Sequence, residues 1–297
     1  PEMIFANLMS STNYNKKEKK IVGGKNGFGV KLIYIYSVWG KVETVDHRRG
    51  LKYSQEFTDN LSTIKKPKIT KAKGITPYTK VQFKLDFERF GLKGMTEDIV
   101  ELFRKRAYDM AAVTDRSVSV RFNNELVPVR TMGDYISLYI GTDKIANKRV
   151  FENQGRWYVG VCNSPMGEFA HVAFVNGIHT KVGGKHVDYV INLITRKVGA
   201  YILAKKKIKV TATSIKEQLM IFINVAIENP SFDRQTKNNL TTPSGKFGSR
   251  YEMSDKFIED IVKKLGVMEA AINITQVKEN KKSSAETDGS QTRTIRG

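Results

Sequence analysis

The sequence predicts an α+β chain made of two domains. At 297 residues it has the length of about two domains of roughly 100–200 residues each. Strand-like alternation, as in Val81, Phe83, Leu85 and Phe87 against Gln82, Lys84 and Asp86, occurs in the same chain as helical spacing. The clearest helical stripe is Val187, Val190, Ile191, Ile194, Val198, Tyr201 and Ile202, set three and four residues apart. Apolar residues reach 40% and aromatics 10%, enough to build cores and to exclude a wholly disordered chain.

In chain order, residues 2–9 alternate loosely and fit a short helix, and Ser10-Ser11-Thr12-Asn13 makes a polar turn. The basic run Lys16-Lys17-Glu18-Lys19-Lys20 leads into Gly23-Gly24-Lys25-Asn26-Gly27-Phe28-Gly29, the densest glycine cluster of the chain. Residues 30–36 are apolar enough for a buried helix or a strand, and periodicity alone does not separate the two. Strands are expected over 40–57 and 78–88. A helix is expected over 97–113, with Ile99, Val100, Phe103, Ala107, Met110 and Ala111 on one side. A strand over 118–122 turns at Asn123-Asn124 into 126–129, and the domain boundary is placed there, giving 1–128 and 129–275.

The second domain is expected to hold strands at 156–162 and 169–176, the loop Val182-Gly183-Gly184-Lys185, and then the long helix ending in Lys205-Lys206-Lys207. Cations suit the negative end of a helix dipole. The run 219–227 is nearly continuously apolar, as a central strand buried on both faces requires, and Asn229-Pro230 ends it. A polar loop follows through 235–246. Phe257, Ile258, Ile261, Val262 and Leu265 share a helix face, with Gly266 placed to stop the helix. From about Gln276 to residue 297 the chain is polar and charged, as in a linker, and no internal repeat is present.

Charge narrows the function. Fifty Lys and Arg against 30 Asp and Glu leave +20, which favours polyanionic partners: nucleic acid, nucleotide phosphates or an anionic surface. A merely basic, solvated face is the bland alternative. The single cysteine, Cys162, excludes an intrachain disulfide and a Cys-based zinc site. His47, His171, His179 and His186 show no metal-ligand spacing, and no apolar run approaches the roughly 18 residues of a membrane span. No signal peptide is expected, and Pro1 in place of an initiator Met leads us to expect a fragment of a longer chain.

Three segments offer chemistry. Glycines at 24, 27 and 29 let backbone N–H groups approach a phosphate, with Asn26 as a donor and Lys31 as a charge. The pattern is neither a P-loop, since Gly24 stands seven rather than five residues from Lys31 and Leu32 follows, nor a Rossmann fingerprint. The loop Gln235-Thr236-Lys237 would project a lysine beyond a buried strand. Phe174-Val175-Asn176-Gly177-Ile178-His179-Thr180 reads as strand and turn, with His179 and His186 more in keeping with structural than catalytic roles. As bare patterns, each reads first as a structural turn or a solvated loop.

Taken in order, these segments resemble the ATPase region of the eukaryotic-type DNA topoisomerase II (type IIA) family, almost throughout the chain. Pro1-Glu2-Met3-Ile4-Phe5 and Ser11-Thr12-Asn13-Tyr14 are similar to its Pro-Glu-Met-Ile-Phe and Ser-Ser-Asn-Tyr, and Gly23 through Leu32 to its Gly-Gly-Arg-Asn-Gly-Tyr-Gly-Ala-Lys-Leu lid. Phe174-Val175-Asn176-Gly177-Ile178, Gly183-Gly184-Lys185-His186-Val187 and Ile227-Glu228-Asn229-Pro230 with Gln235-Thr236-Lys237 resemble its second-domain motifs. Thr12 for Ser and Phe28 for Tyr are mild departures.

The resemblance implies that residues 1–128 are the C-terminal part of a Bergerat-type (GHKL) ATPase α/β sandwich. Residues 129–275 would then be a transducer domain with a left-handed β-α-β crossover, and 276–297 a linker towards a TOPRIM domain. It implies ATP as the ligand, with Ser11, Thr12 and Asn13 on the sugar and phosphates. Gly24, Lys25, Asn26, Gly27, Phe28, Gly29, Val30 and Lys31 would wrap the triphosphate, and Gln235, Thr236 and Lys237 would reach the γ-phosphate. Lys205, Lys206 and Lys207 would touch captured double-stranded DNA.

A homodimer closing through the ATPase domains, no membrane partner, and a nuclear location (host nucleus or cytoplasm if viral) are also implied. The general-base Glu, the magnesium-binding Asn and the DNA-cleaving Tyr of the family are expected outside this segment, so that Mg2+ would find its ligands elsewhere and the chain alone would neither hydrolyse ATP efficiently nor cut DNA. Two other readings remain open: another GHKL ATPase of mismatch-repair type, and a non-catalytic basic DNA-binding remnant.

Overall fold

The computed structural model describes residues 1–277 and Asn280, except Lys16, and its chain falls into two units that divide between Lys105 and Arg106. The first unit opens with α1 (Glu2–Ala6) and α2 (Gly29–Ile35). A wholly antiparallel sheet follows, of β1 (Ser37–Asp46), β2 (Leu51–Thr58), β3 (Thr63–Ile64), β4 (Lys68–Lys71) and β5 (Thr79–Leu85). The spatial order is β3-β2-β1-β5, with β4 also paired to β2. The strand-like stretch over 40–57 is thus a hairpin. Its turn is set by Asp46, whose carboxylate accepts the N–H groups of Arg48 and Arg49, and by Gly50 at φ +62°.

Residues 30–36, ambiguous in the sequence, are helical because Tyr34 must fall on the sheet. Its ring packs on Phe57 with centroids 4.7 Å apart and lies against Gly40, where any Cβ would collide with the ring. Ala6, Val42 and Phe57 complete this small core.

Helix α3 (Glu97–Val113) has the expected span, but its buried residues are Asp109, Ala111 and Ala112, whereas Met110 is 50% exposed. The small alanines let the helix approach the second unit's core, which takes in Ala111 and Ala112 beside Phe174 and Phe222. That packing moves the division of the chain forward to Lys105 from the expected 128.

The second unit continues with the hairpin β6 (Arg121–Phe122) and β7 (Glu125–Leu126), turned by Asn123 and Asn124 at positive φ. Next come α4 (Met132–Ile140), β8 (Arg149–Gln154), β9 (Trp157–Asn163), β10 (Ala170–Val175), β11 (Ile178–His179), β12 (Gly183–Gly184) and α5 (Lys185–Lys206). Then follow α6 (Ala212–Lys216), β13 (Leu219–Val225), β14 (Asn239–Leu240) and α7 (Asp255–Lys264). Residues 267–277 are helical. The expected linker over 276–297 lies, apart from residues 276, 277 and 280, outside the described residues.

The sheet order is β11-β10-β13-β9-β8. β10 and β13 are parallel neighbours, and α5 forms the β-α-β crossover between them. β13 is apolar end to end because both of its faces are covered. Ile221, Ile223 and Val225 meet Val190, Ile194 and Val198 of α5, while Met220 and Phe222 meet Tyr135 and Ile136 of α4. Among the elements not foreseen, α4, α6 and β8 are short or polar on one side. The first two begin at capping threonines: Thr131 accepts the N–H of Asp134, and Thr211 that of Ser214.

Candidate functional site

In the first unit the structure brings together two of the segments singled out in the sequence. Ser10 through Tyr14 lies along the glycine cluster and is fastened to it at four points. Asn13 Nδ2 donates to the Gly24 carbonyl at 2.8 Å, and Tyr14 Oη to the Asn26 carbonyl at 3.0 Å. Lys31 Nζ donates to Ser10 Oγ at 2.8 Å. Gly27, at φ +69°, packs so closely that a Cβ there would sit 3.2 Å from the Ser10 carbonyl carbon. Beside this, Asn13 N–H donates to Ser11 Oγ at 3.1 Å and Lys20 Nζ to the Thr12 carbonyl at 2.9 Å. Glycine is needed at 27 both for the left-handed backbone and for the close approach.

The cluster then enters α2. No side chain caps that helix, and its first-turn N–H groups have no partner within the helix. Gly24, Lys25, Asn26 and Gly29 are exposed; Gly27, Phe28 and Val30 are half-buried.

Lys31 is the unusual residue. Its side chain is only 1% exposed, and burial holds its pKa below the ordinary lysine value. An ammonium has three N–H donors, and the hydroxyl of Ser10 takes one. No carboxylate pairs with it among the described residues. A covered cation without a counter-ion is costly, and an anion at the site relieves that cost. Ser10 was visible in the sequence only as part of a turn; its tie to Lys31 spans 21 residues and leaves no local signal.

Gln235, Thr236 and Lys237 lie in the second unit, on a loop that leaves β13 and returns as β14. Gln235 and Thr236 are exposed, and Lys237 is half-buried at φ +57°, its N–H bonded to the Arg234 carbonyl at 3.0 Å. The loop is anchored by a parallel pairing of Gly183 and Gly184 with Asn239 and Leu240. Gly184, at φ +118°, lies so near Leu240 that a Cβ would collide with its main chain. The Gly183-Gly184 pair thus seats this loop.

Lys205, Lys206 and Lys207 are exposed at the C-terminus of α5, which Lys207 closes at φ +59° with its N–H on the Leu203 carbonyl.

His186 is fully buried, its Nε2 3.1 Å from Thr180 Oγ1, and burial, with His171 adding to it, pushes its pKa down to about 3. His179 faces the buried Asp109, which accepts the hydroxyl of Tyr135 at 2.6 Å. Both histidines are built into the core. Cys162 is buried, and desolvation pushes its thiol up to about 12, so it is no nucleophile. Among the described residues no three His, Cys, Asp or Glu side chains gather to hold a metal ion, and no helix is long and apolar enough to cross a membrane.

Comparison with known proteins gives concordant findings. The family described as DNA gyrase B matches residues 127–290. The DNA topoisomerase 2 of Pisum sativum is 39% identical over 306 aligned residues, covering 100% of this chain and 20% of that protein. The DNA topoisomerase 2 of Acanthamoeba polyphaga mimivirus is 40% identical, covering 97% of this chain and 23% of its own length. This chain therefore spans about a fifth of the curated relatives it matches.

Among solved structures, the ATPase and transducer domains of DNA topoisomerase II from Balamuthia mandrillaris superpose with a TM-score of 0.87 at 37% identity, over 94% of this chain and 72% of that one. The ATPase region of Saccharomyces cerevisiae topoisomerase II gives 0.85 at 38%, over 93% and 71%.

Proposed function

Because the chain belongs to the DNA gyrase B family and is a piece of a type IIA topoisomerase, we propose that it binds ATP in its first unit and transmits nucleotide occupancy through its second. The whole enzyme it serves would pass one DNA duplex through a transient break in another. The observation that carries the reading is the covered ammonium of Lys31 beside a glycine-rich loop stitched to Ser10–Tyr14.

A triphosphate supplies the negative charge that this ammonium lacks. Lys31, held by Ser10 Oγ, would neutralise one phosphate oxygen, while the N–H groups of the Gly24–Val30 segment present further donors, with no side chain at Gly24, Gly27 and Gly29 to hinder approach. Asn13 keeps the loop shut against Ser11 and Thr12 through the Gly24 carbonyl. Gln235, Thr236 and Lys237 are proposed as the second unit's contact to the γ-phosphate; a lysine on a loop anchored from Asn239 onward would report the nucleotide's presence. No metal-binding set is found among the described residues, so no step is assigned to Mg2+ on this chain.

Lys205, Lys206 and Lys207 are proposed to hold duplex DNA through its phosphates, without regard to sequence. A homodimer formed through the ATPase units is proposed as the working assembly. Its place would be the nucleus in a cell, or the host nucleus or cytoplasm if the gene is viral.

The test is photolabelling of the chain with an azido-ATP analogue. Label within residues 10–31, removed by competing ATP, is expected. Label that ATP does not displace, or that avoids this segment, overturns the reading.

A further inference from the structure

The sheet of the first unit has one face on α1 and α2 and one face open. Register fixes which residues stand on the open face. Lys41 of β1 is opposite Glu56 of β2 and Gln82 of β5, Glu43 is opposite Lys80, and Trp39 is opposite Lys84. On the other flank Ser54, opposite Glu43, pairs with Lys68 of β4, and Lys52 stands on the same side. Directly paired residues of antiparallel strands project to the same side.

The ion pairs agree with this placement. Glu43 takes Lys52 at 3.0 Å and the hydroxyl of Tyr78, while Glu56 takes Lys65 at 3.0 Å and Lys41 at 3.9 Å. Six lysines therefore share a face with two carboxylates, and both carboxylates are engaged. Lys68, Lys80 and Lys84 are exposed and have no carboxylate partner among the described residues.

We propose that this open face is a second seat for double-stranded DNA, separate from Lys205–Lys207, in which Lys68, Lys80 and Lys84 grip phosphates. Lys80 and Lys84 stand about 13 Å apart along β5, and β4 lies about 14 Å across the sheet from β5. A duplex carries one phosphate charge per about 1.7 Å of its axis, so a patch of this size faces several phosphates at once. The charge is spread over hydrogen-bonded strands and holds its spacing, so binding gives up only lysine rotamer freedom. An anionic membrane fits less well: Lys68, Lys80 and Lys84 are exposed, whereas Trp39, the aromatic residue placed opposite Lys84, is half-buried and offers little to insert into lipid.

The experiment measures affinity of the whole chain for a labelled duplex by fluorescence anisotropy between about 50 and 200 mM salt. Replacing all three residues, as Lys68→Gln, Lys80→Gln and Lys84→Gln, is expected to lower the slope of log affinity against log salt by about 2.7. The corresponding three arginine substitutions should keep it. The Gln variant must show an unchanged circular dichroism spectrum.

An unchanged slope overturns the proposal, as does a failure of the unaltered chain to bind duplex, or stronger binding to phosphatidylserine vesicles than to DNA. A loss seen only with Lys205→Gln, Lys206→Gln and Lys207→Gln would overturn this seat and leave the proposed function standing. Loss of ATP labelling with the slope effect intact would do the reverse.

Discussion

The ammonium of Lys31 sits 2.8 Å from the hydroxyl of Ser10, 21 residues earlier, with the lysine side chain 1% exposed and no carboxylate paired with it among the described residues. This pair fastens the glycine cluster to the preceding turn and leaves two N–H donors of the ammonium free for an anion. In the unliganded chain such an arrangement works against stability. Lys31→Met should therefore raise the unfolding free energy by about 1 kcal/mol. Ser10→Ala should lower it by about 1–2 kcal/mol, because it strips the cation of its one partner. Urea denaturation of the two variants checks both signs.

Gly184→Ala should destabilise the second unit by about 2 kcal/mol or more, since φ is +118° and the new methyl would strike the main chain of Leu240. Gly155→Ala is the control: its φ is +58°, but nothing lies within 4 Å of the added carbon, so only the backbone cost of about 1–2 kcal/mol applies. Equal losses in thermal unfolding would show that the contact with Leu240 is not what makes Gly184 necessary.

The second unit should weaken in acid. His186 is held neutral down to about pH 3 by burial, with His171 adding to the effect, whereas in the unfolded chain it takes up a proton near 6.5. Between those values the unfolded state binds more protons, so stability is full above about 6.5 and falls as the pH drops towards 3, by at most about 1.4 kcal/mol per pH unit. His171, also shifted down by burial, adds to this, and the charges near it are Asp188 and Lys216. His186→Gln should remove its own share and leave that of His171. Denaturation curves at successive pH values would refute this if the variant kept the full slope.

Phe222→Ala should cost about 3–5 kcal/mol, because Phe222 is fully buried in the centre of β13 against Tyr139. Met110→Ala, on the 50% exposed side of α3, should change stability by less than about 0.5 kcal/mol. Chemical denaturation of the two variants separates them.

That contrast shows where sequence reading works and where it stops. The continuous apolar run of β13 and the stripe of α5 are local signals, and the structure places both as expected, β13 at the centre and α5 against it. The span of α3 was equally plain, but not its buried side. A helix with Ala107, Met110, Ala111 and Ala112 offers two candidate faces, and the choice is made by core residues that come later in the chain, from Val127 to Phe222.

α4 leaves a weak sequence signal because it is short, although Thr131 three residues before Asp134 marks its start. The glycine cluster and Ser11–Asn13 were each legible as segments. Their fastening through Ser10–Lys31 and Asn13–Gly24 was not, because a hydrogen bond between residues 11 or 21 apart leaves no periodic trace.

The most direct test is the affinity of the chain for a non-hydrolysable ATP analogue, measured by titration calorimetry before and after Lys31→Met. Binding by the unaltered chain, weakened at least about tenfold by the substitution, is the expected result, since a charge-assisted hydrogen bond to phosphate is worth about 1.5–3 kcal/mol. Equal affinities, or no binding by the unaltered chain, would contradict the assignment of this site to a triphosphate.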